Sequence, residues 1–241
     1  MDIGGRRHLA AAVVIGAIVA VSGCAQTATR ATTETGPSGT GPRSTEAITG
    51  LAGAAGSGAG GTGAACVFVK PDGAQKFGHV GWGFKVPGTG RWVYGAVENP
   101  SAKLYTPPGD DIGAWHAEGS YDRMLSDMSR DALPHARTTS RGGTPIPGRA
   151  EHPYSRYRCT SSSTHDVNNA RAAIRTVEAR GFLVGVDPRT GELTSRDCLD
   201  ATYDVLKAYR TKHLTRAPRL SIPNVWVEEL WGWSDKKLTP R

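Results

Sequence analysis

The chain has 241 residues, among them 31 glycines, 15 prolines and four cysteines, and a formal net charge of +7. The length leaves room for one domain with a real core once the poorly folding N-terminal part is set aside. The charge favours anionic neighbours such as lipid headgroups or wall polymers. No compact basic cluster with interleaved aromatics accompanies it, so nucleic acid is not an expected partner.

Arg6 and Arg7 precede an apolar run over residues 9–21. A bilayer span takes about 20 apolar residues, so this run fits a signal-peptide core better than a membrane helix. It ends in Val21-Ser22-Gly23-Cys24. That ending resembles the lipobox of bacterial lipoproteins. The resemblance implies a signal peptide over residues 1–23, cleavage before Cys24, and diacylglycerol on the Cys24 sulfur. Two acyl chains give stable anchoring where one is marginal. The expected location is the outer face of the cytoplasmic membrane, with the bilayer as a partner. Removing Asp2, Arg6 and Arg7 takes +1 from +7 and leaves +6. The arginine pair matches a twin-arginine signal only in part, so the export route stays open.

Residues 24–63 are nearly all Ala, Thr, Gly, Ser and Pro, and 53–63 reads GAAGSGAGGTG. Too little apolar surface is present to offset chain entropy, so a flexible tether is expected. Its typical reach, at roughly 5–6 Å × √n, is about 35 Å.

The globular part is expected over 64–241. Residues 66–69 read as a strand, and 79–84 and 92–97 as a β-hairpin about the turn Pro87-Gly88-Thr89-Gly90. Residues 99–150 read as irregular, with one helix near 121–131. Val167, Ala170, Ile174 and Val177 fall at helical spacing between an Asp166 N-cap and a Gly181 stop. Residues 182–186 read as a strand. Residues 198–210 read as a helix carrying Leu199, Tyr203, Leu206 and Tyr209. The aromatic tail over 223–233 is expected to pack on the domain. The mixture predicts an α+β fold with a mainly antiparallel sheet.

A hairpin turn centred between Gly88 and Thr89 makes facing residues sum to 177. Trp82 then faces Gly95, Val80 faces Val97, and His79 faces Glu98. One face carries Val80, Trp82, Phe84, Val93 and Val97 and is the expected buried face. The other carries His79, Gly81, Gly83, Ala96 and Glu98, where small residues leave room for a helix end or a substrate backbone. A register slip of one residue would break the His79–Glu98 pairing.

Cys198 opens its helix, with Ser195 or Asp197 as N-cap. Helix N–H groups and the helix dipole stabilise a thiolate there. A histidine can take the thiol proton and a carboxylate can orient that histidine. Asp197 and Asp200 oppose the effect, because negative neighbours raise a thiol pKa.

The order of His79-Val80-Gly81, Trp92-Val93-Tyr94 and Asp197-Cys198-Leu199-Asp200-Ala201-Thr202-Tyr203 resembles the circularly permuted NlpC/P60 (papain-like) superfamily. The resemblance implies a papain-like fold with Cys198 as nucleophile, His79 as general base, and Glu98 or Asn99 as the orienting residue. Asp197 stands where that family more often has Asn. The 119 residues from His79 to Cys198 imply a long insertion over 100–165.

With Cys24 acylated, three cysteines remain: Cys66, Cys159 and Cys198. An exported chain tends to pair two of them. Three pairings are possible, and only Cys66–Cys159 leaves Cys198 free. His116, His135, His152, His165 and His213 show no metal-ligand spacing, and no phosphate-loop or GxSxG motif is present, so no metal or cofactor is expected. Two readings follow. The first is a surface-tethered thiol hydrolase, peptidase or acyltransferase acting on an amide or ester, with cell-wall peptide as the accessible substrate. The second is a non-catalytic wall-associated or binding lipoprotein of the same fold, with Cys198 buried or in a disulfide and His79 elsewhere.

Overall fold

The computed structural model describes residues 61–99, 103–110, 112–130, 137–138 and 153–240. Cys24, the signal segment and nearly all of the tether lie outside these residues, as do His135 and His152.

The main sheet is built from seven strands: β1 (Gly63–Lys70), β2 (His79–Val86), β3 (Arg91–Val97), β5 (Ala114–Ser120), β6 (Arg137–Thr138), β7 (Arg156–Ser162) and β10 (Ser234–Lys237). Their order is β10-β7-β1-β2-β3-β5-β6, and β4 (Tyr105–Thr106), β8 (Phe182–Val186) and β9 (Leu193–Arg196) form a second, smaller sheet. Every pairing is antiparallel. Four α-helices, α1 (Tyr121–Met128), α2 (Val167–Ala179), α3 (Cys198–Ala208) and α4 (Pro223–Glu228), and a short 3-10 turn over Ala74–Lys76 complete the described part. The class is α+β with an antiparallel sheet, as the mixture of periodicities predicts.

The hairpin has the expected register. Gly81 pairs with Ala96, Trp82 with Gly95 and Phe84 with Val93. Gly88 and Gly90 supply the left-handed φ angles of the turn, 77° and 70°, a conformation glycine adopts without steric cost.

Side-chain alternation splits the core in two. On one face Val67, Val69, Val80, Trp82 and Phe84 meet Ala170, Ile174 and Val177 of α2 and Leu199, Val205 and Leu206 of α3. On the other, Phe68, Tyr94, Ala96 and Trp115 meet Met124 and Met128 of α1, together with Tyr154 and Tyr157. Of the two occupants expected on the second face, a helix end or a substrate backbone, the structure shows the helix: α1 packs there, with Tyr154. A Cβ at Gly83 would lie 2.7 Å from Met124 Sδ, and one at Gly81 would lie 3.0 Å from both Met128 Cε and the Tyr154 hydroxyl. The small residues make room for a helix and a tyrosine of the same chain.

Within the stretch read as irregular, residues 114–120 form a full strand. β5 pairs along β3 from Arg91↔Ser120 to Val97↔Ala114. The alternation Trp115, Ala117 against Ala114, His116 is present in the sequence, between Gly113 and Gly119. Residues 114–128 thus supply an interior strand of the main sheet, β5, and α1. In the C-terminal tail Trp226 and Trp233 are buried as expected, whereas Trp231 is 85% exposed.

Cys66 and Cys159 face each other in the β1–β7 register and form a disulfide, which leaves Cys198 as a free, buried cysteine. The bridge closes a separation of 93 residues. By the chain-entropy argument such a loop contributes about 4–5 kcal/mol to stability.

Candidate functional site

His79 is the first residue of β2, and α4 fixes the chain just before it. The Asn224 N–H donates to the Phe77 carbonyl (3.1 Å), and the Asn224 side-chain amide donates to the carbonyls of Pro71 (2.8 Å) and Lys76 (3.1 Å). Gly78, at φ 94°, packs so closely on Asn224 that a side chain there would collide with it. Glu98 lies just past the end of β3, where its N–H donates to the Gly113 carbonyl (3.1 Å). The antiparallel register thus sets His79 opposite Glu98, and His79 Nε2 stands 3.0 Å from Glu98 Oε2.

Cys198 reaches the site from the small sheet. β9 carries the chain to Asp197, with Arg196 Nη1 donating to Asp187 Oδ2 (2.8 Å) and the Leu220 N–H donating to Ser195 Oγ (2.9 Å). Asp197 is the N-cap and Ser195 is not. Asp197 Oδ1 accepts from the N–H groups of Leu199 (2.8 Å) and Asp200 (3.1 Å), while Asp200 Oδ2 accepts from the Asp197 N–H (3.3 Å). This reciprocal capping satisfies otherwise unpaired helix donors. At the far end of α3 the Tyr209 hydroxyl donates to the Lys85 carbonyl (2.6 Å), and its ring packs on Phe84. α3 is therefore pinned along β2 at its end, and at its start the Cys198 sulfur lies beside the Val80 backbone, which favours the thiolate.

The Cys198 thiol lies beside the His79 ring, close enough for the two to interact electrostatically. The three side chains nominated from the sequence, Cys198, His79 and Glu98, thus form one connected chain. All three are buried, at 7%, 3% and 2% exposure. Asn99, the alternative orienting residue, turns away: its side-chain amide donates to the Lys103 carbonyl (3.1 Å).

Burial opposes charge on His79, but the Cys198 sulfur and the Glu98 carboxylate outweigh it and hold the ring protonated well above the ordinary histidine range. Burial raises the Cys198 pKa, and His79 works in the opposite direction. Asp197 adds to the rise. Its own carboxyl is pushed up to about 7, first by burial and then by the charge of Asp200. The expected opposition between helix start and acidic neighbours is therefore tempered, because Asp197 carries only part of a charge near neutral pH.

Two residues of the site were missed by sequence reasoning. The Trp115 indole N–H donates to Glu98 Oε1 (2.8 Å) and the Tyr154 hydroxyl donates to the same oxygen (3.3 Å). Trp115 sits on the strand read as irregular chain. Tyr154 precedes β7, and no local pattern marks it.

Among the described residues no group of three His, Cys, Asp or Glu side chains is placed to hold a metal ion. None of their helices is long and apolar enough to cross a membrane. Comparison with protein-family models, curated proteins and solved structures finds no match.

Proposed function

We propose that this protein is a thiol hydrolase or acyltransferase acting on an amide or ester, with cell-wall peptide as the accessible substrate, tethered to the outer face of the membrane through acylated Cys24. The observation that carries the reading is the connected chain of free Cys198, His79 and Glu98, with the sulfur at the start of a capped helix.

In the reactive form the proton shared by sulfur and imidazole sits on His79, and Glu98 balances the imidazolium charge. The Cys198 thiolate attacks the carbonyl carbon. As the tetrahedral adduct collapses, the bond to the leaving amine or alcohol breaks and His79 gives that group its proton. The acyl group is then held as a thioester. Water, or an acceptor amine or alcohol, gives a proton to His79 as it attacks the thioester, and the thiolate returns. The assignment of His79 as base and Glu98 as its orienting residue follows this scheme, and its resemblance to papain-like enzymes is part of the same proposal.

The test is intact-protein mass spectrometry after incubation with peptide amides and activated esters. A mass increase on Cys198 that decays with product release, and is absent in Cys198→Ser, is the expected result. An unmodified sulfur with every acyl donor contradicts the enzyme reading. The deep burial of all three groups favours a second reading, a non-catalytic wall-associated lipoprotein in which the same chain is structural. The anchor is tested separately. Mass spectrometry of the processed N-terminus should find diacylglyceryl-Cys24, and an unmodified Cys24 contradicts it.

A further inference from the structure

We infer that Tyr154 and Trp115 are positioning residues that clamp the Glu98 carboxylate, and through it fix the ring of His79. The inference rests on the reading of Cys198, His79 and Glu98 as a working unit. Trp115 and Tyr154 both donate to Oε1 of Glu98, at 2.8 and 3.3 Å, while the other oxygen, Oε2, faces His79 Nε2 at 3.0 Å. Donors converging on one oxygen set the rotation of the carboxylate and aim the other at the imidazole.

Tyr154 acts a second time on the same pair. Its ring lies against the His79 ring with centroids 5.6 Å apart and planes 21° from parallel. A stacked ring resists rotation of the imidazole, so one side chain restrains both members of the ion pair. Tyr154 is itself held on both sides, by its own N–H to the Met128 carbonyl (2.9 Å) and by the Ser155 N–H to the Val69 carbonyl (3.1 Å). Gly81 is what admits it, since a side chain there would press on the Tyr154 hydroxyl. Trp115 is set by its pairing with Ala96 in the β3–β5 register.

A buried carboxylate stripped of a donor loses the worth of a charge-assisted hydrogen bond and gains freedom to turn. A loosened Glu98 stabilises the imidazolium less, so the His79 pKa falls. The experiment is a pH titration of the His79 ring by NMR in the full chain, comparing wild type with Tyr154→Phe, Trp115→Phe, the double variant, Glu98→Gln and Cys198→Ser. Each phenylalanine variant should lower the His79 midpoint by about one pH unit, the size of one lost charge-assisted hydrogen bond, and the double variant should approach Glu98→Gln. Titrations that overlie wild type, whatever happens to the melting temperature, overturn the clamp. If Trp115→Phe does not fold, Tyr154→Phe, which removes one oxygen, decides alone. Cys198→Ser separates the two claims: a His79 midpoint unmoved by loss of the sulfur counts against the thiol–imidazole unit, while the phenylalanine variants still report on the clamp.

Discussion

Two buried carboxylates lie on the same side of the main sheet, and they are used differently. Asp127 of α1 accepts from the Tyr94 hydroxyl (2.5 Å) and from Arg123 Nε (3.0 Å), one turn earlier on the same helix. Glu98 accepts from a tyrosine hydroxyl and an indole, and it is paired with His79. Arginine does not titrate in any useful range, so the Asp127–Arg123 pair exchanges no proton and acts as a strut between α1 and β3. Histidine titrates readily, and this one touches a free thiol. What separates a structural carboxylate from a candidate catalytic one here is the titration behaviour of its partner, since burial and an aromatic donor are common to both.

That contrast can be broken by experiment, and the largest effect is expected at the sulfur. Cys198→Ser should lower turnover by about a thousandfold or more, the scale seen when a nucleophile is removed, with the melting temperature nearly unchanged. Retained turnover would place the nucleophile elsewhere. Glu98→Gln and Asp127→Asn come next and should part company. Glu98→Gln should reduce turnover by about 10²-fold, as expected for loss of support to a general base, and lower the His79 pKa. Asp127→Asn should cost about 1–3 kcal/mol of stability, because the Tyr94 hydroxyl and Arg123 lose an ionised acceptor, and should leave the His79 titration in place. Urea unfolding beside NMR titration reads both quantities, and equal behaviour of the two variants would erase the distinction.

The smallest effect is expected at the helix cap. The Asp197 carboxyl is raised to about 7 in the folded chain, above its unfolded value near 3.9. The folded state therefore prefers the protonated form, and stability falls as pH rises from about 4 to about 7. Asp197→Asn keeps a capping oxygen and removes that charge. It should be more stable than wild type at pH 8 by roughly 1 kcal/mol and react a few-fold faster with alkylating reagents at neutral pH. His79 carries the opposite sign. Its folded pKa is raised, so its contribution is complete below the unfolded value near 6.5 and is lost as pH climbs through the folded one. A chemical-denaturation series across pH in wild type, Asp197→Asn and His79→Asn separates these two slopes.

The site was legible from sequence where local chemistry spoke. The β2–β3 turn sets a register, and the register alone places His79 opposite Glu98. The Asp197 cap and the apolar period behind Cys198 place the thiol at a helix start. Contact between the two elements was not legible, because it depends on how α3 packs along β2, pinned at Tyr209 and Lys85, residues 124 apart in sequence. Trp115 and Tyr154 were hidden for a related reason: their roles are fixed by β3–β5 pairing and by a backbone bond to Met128, not by any pattern near them. The second sheet face left two occupants open, because a glycine-rich strand reads alike whether it faces a ligand or a helix.

The account stands on one proton shared between Cys198 and His79, and the ultraviolet absorbance of the thiolate reports it directly. Subtracting Cys198→Ser from the full chain at each pH isolates this sulfur from Cys24. Loss of the imidazolium in His79→Asn should move the thiolate midpoint up by at least about one pH unit. Superimposable thiolate titrations with and without His79 would contradict the account.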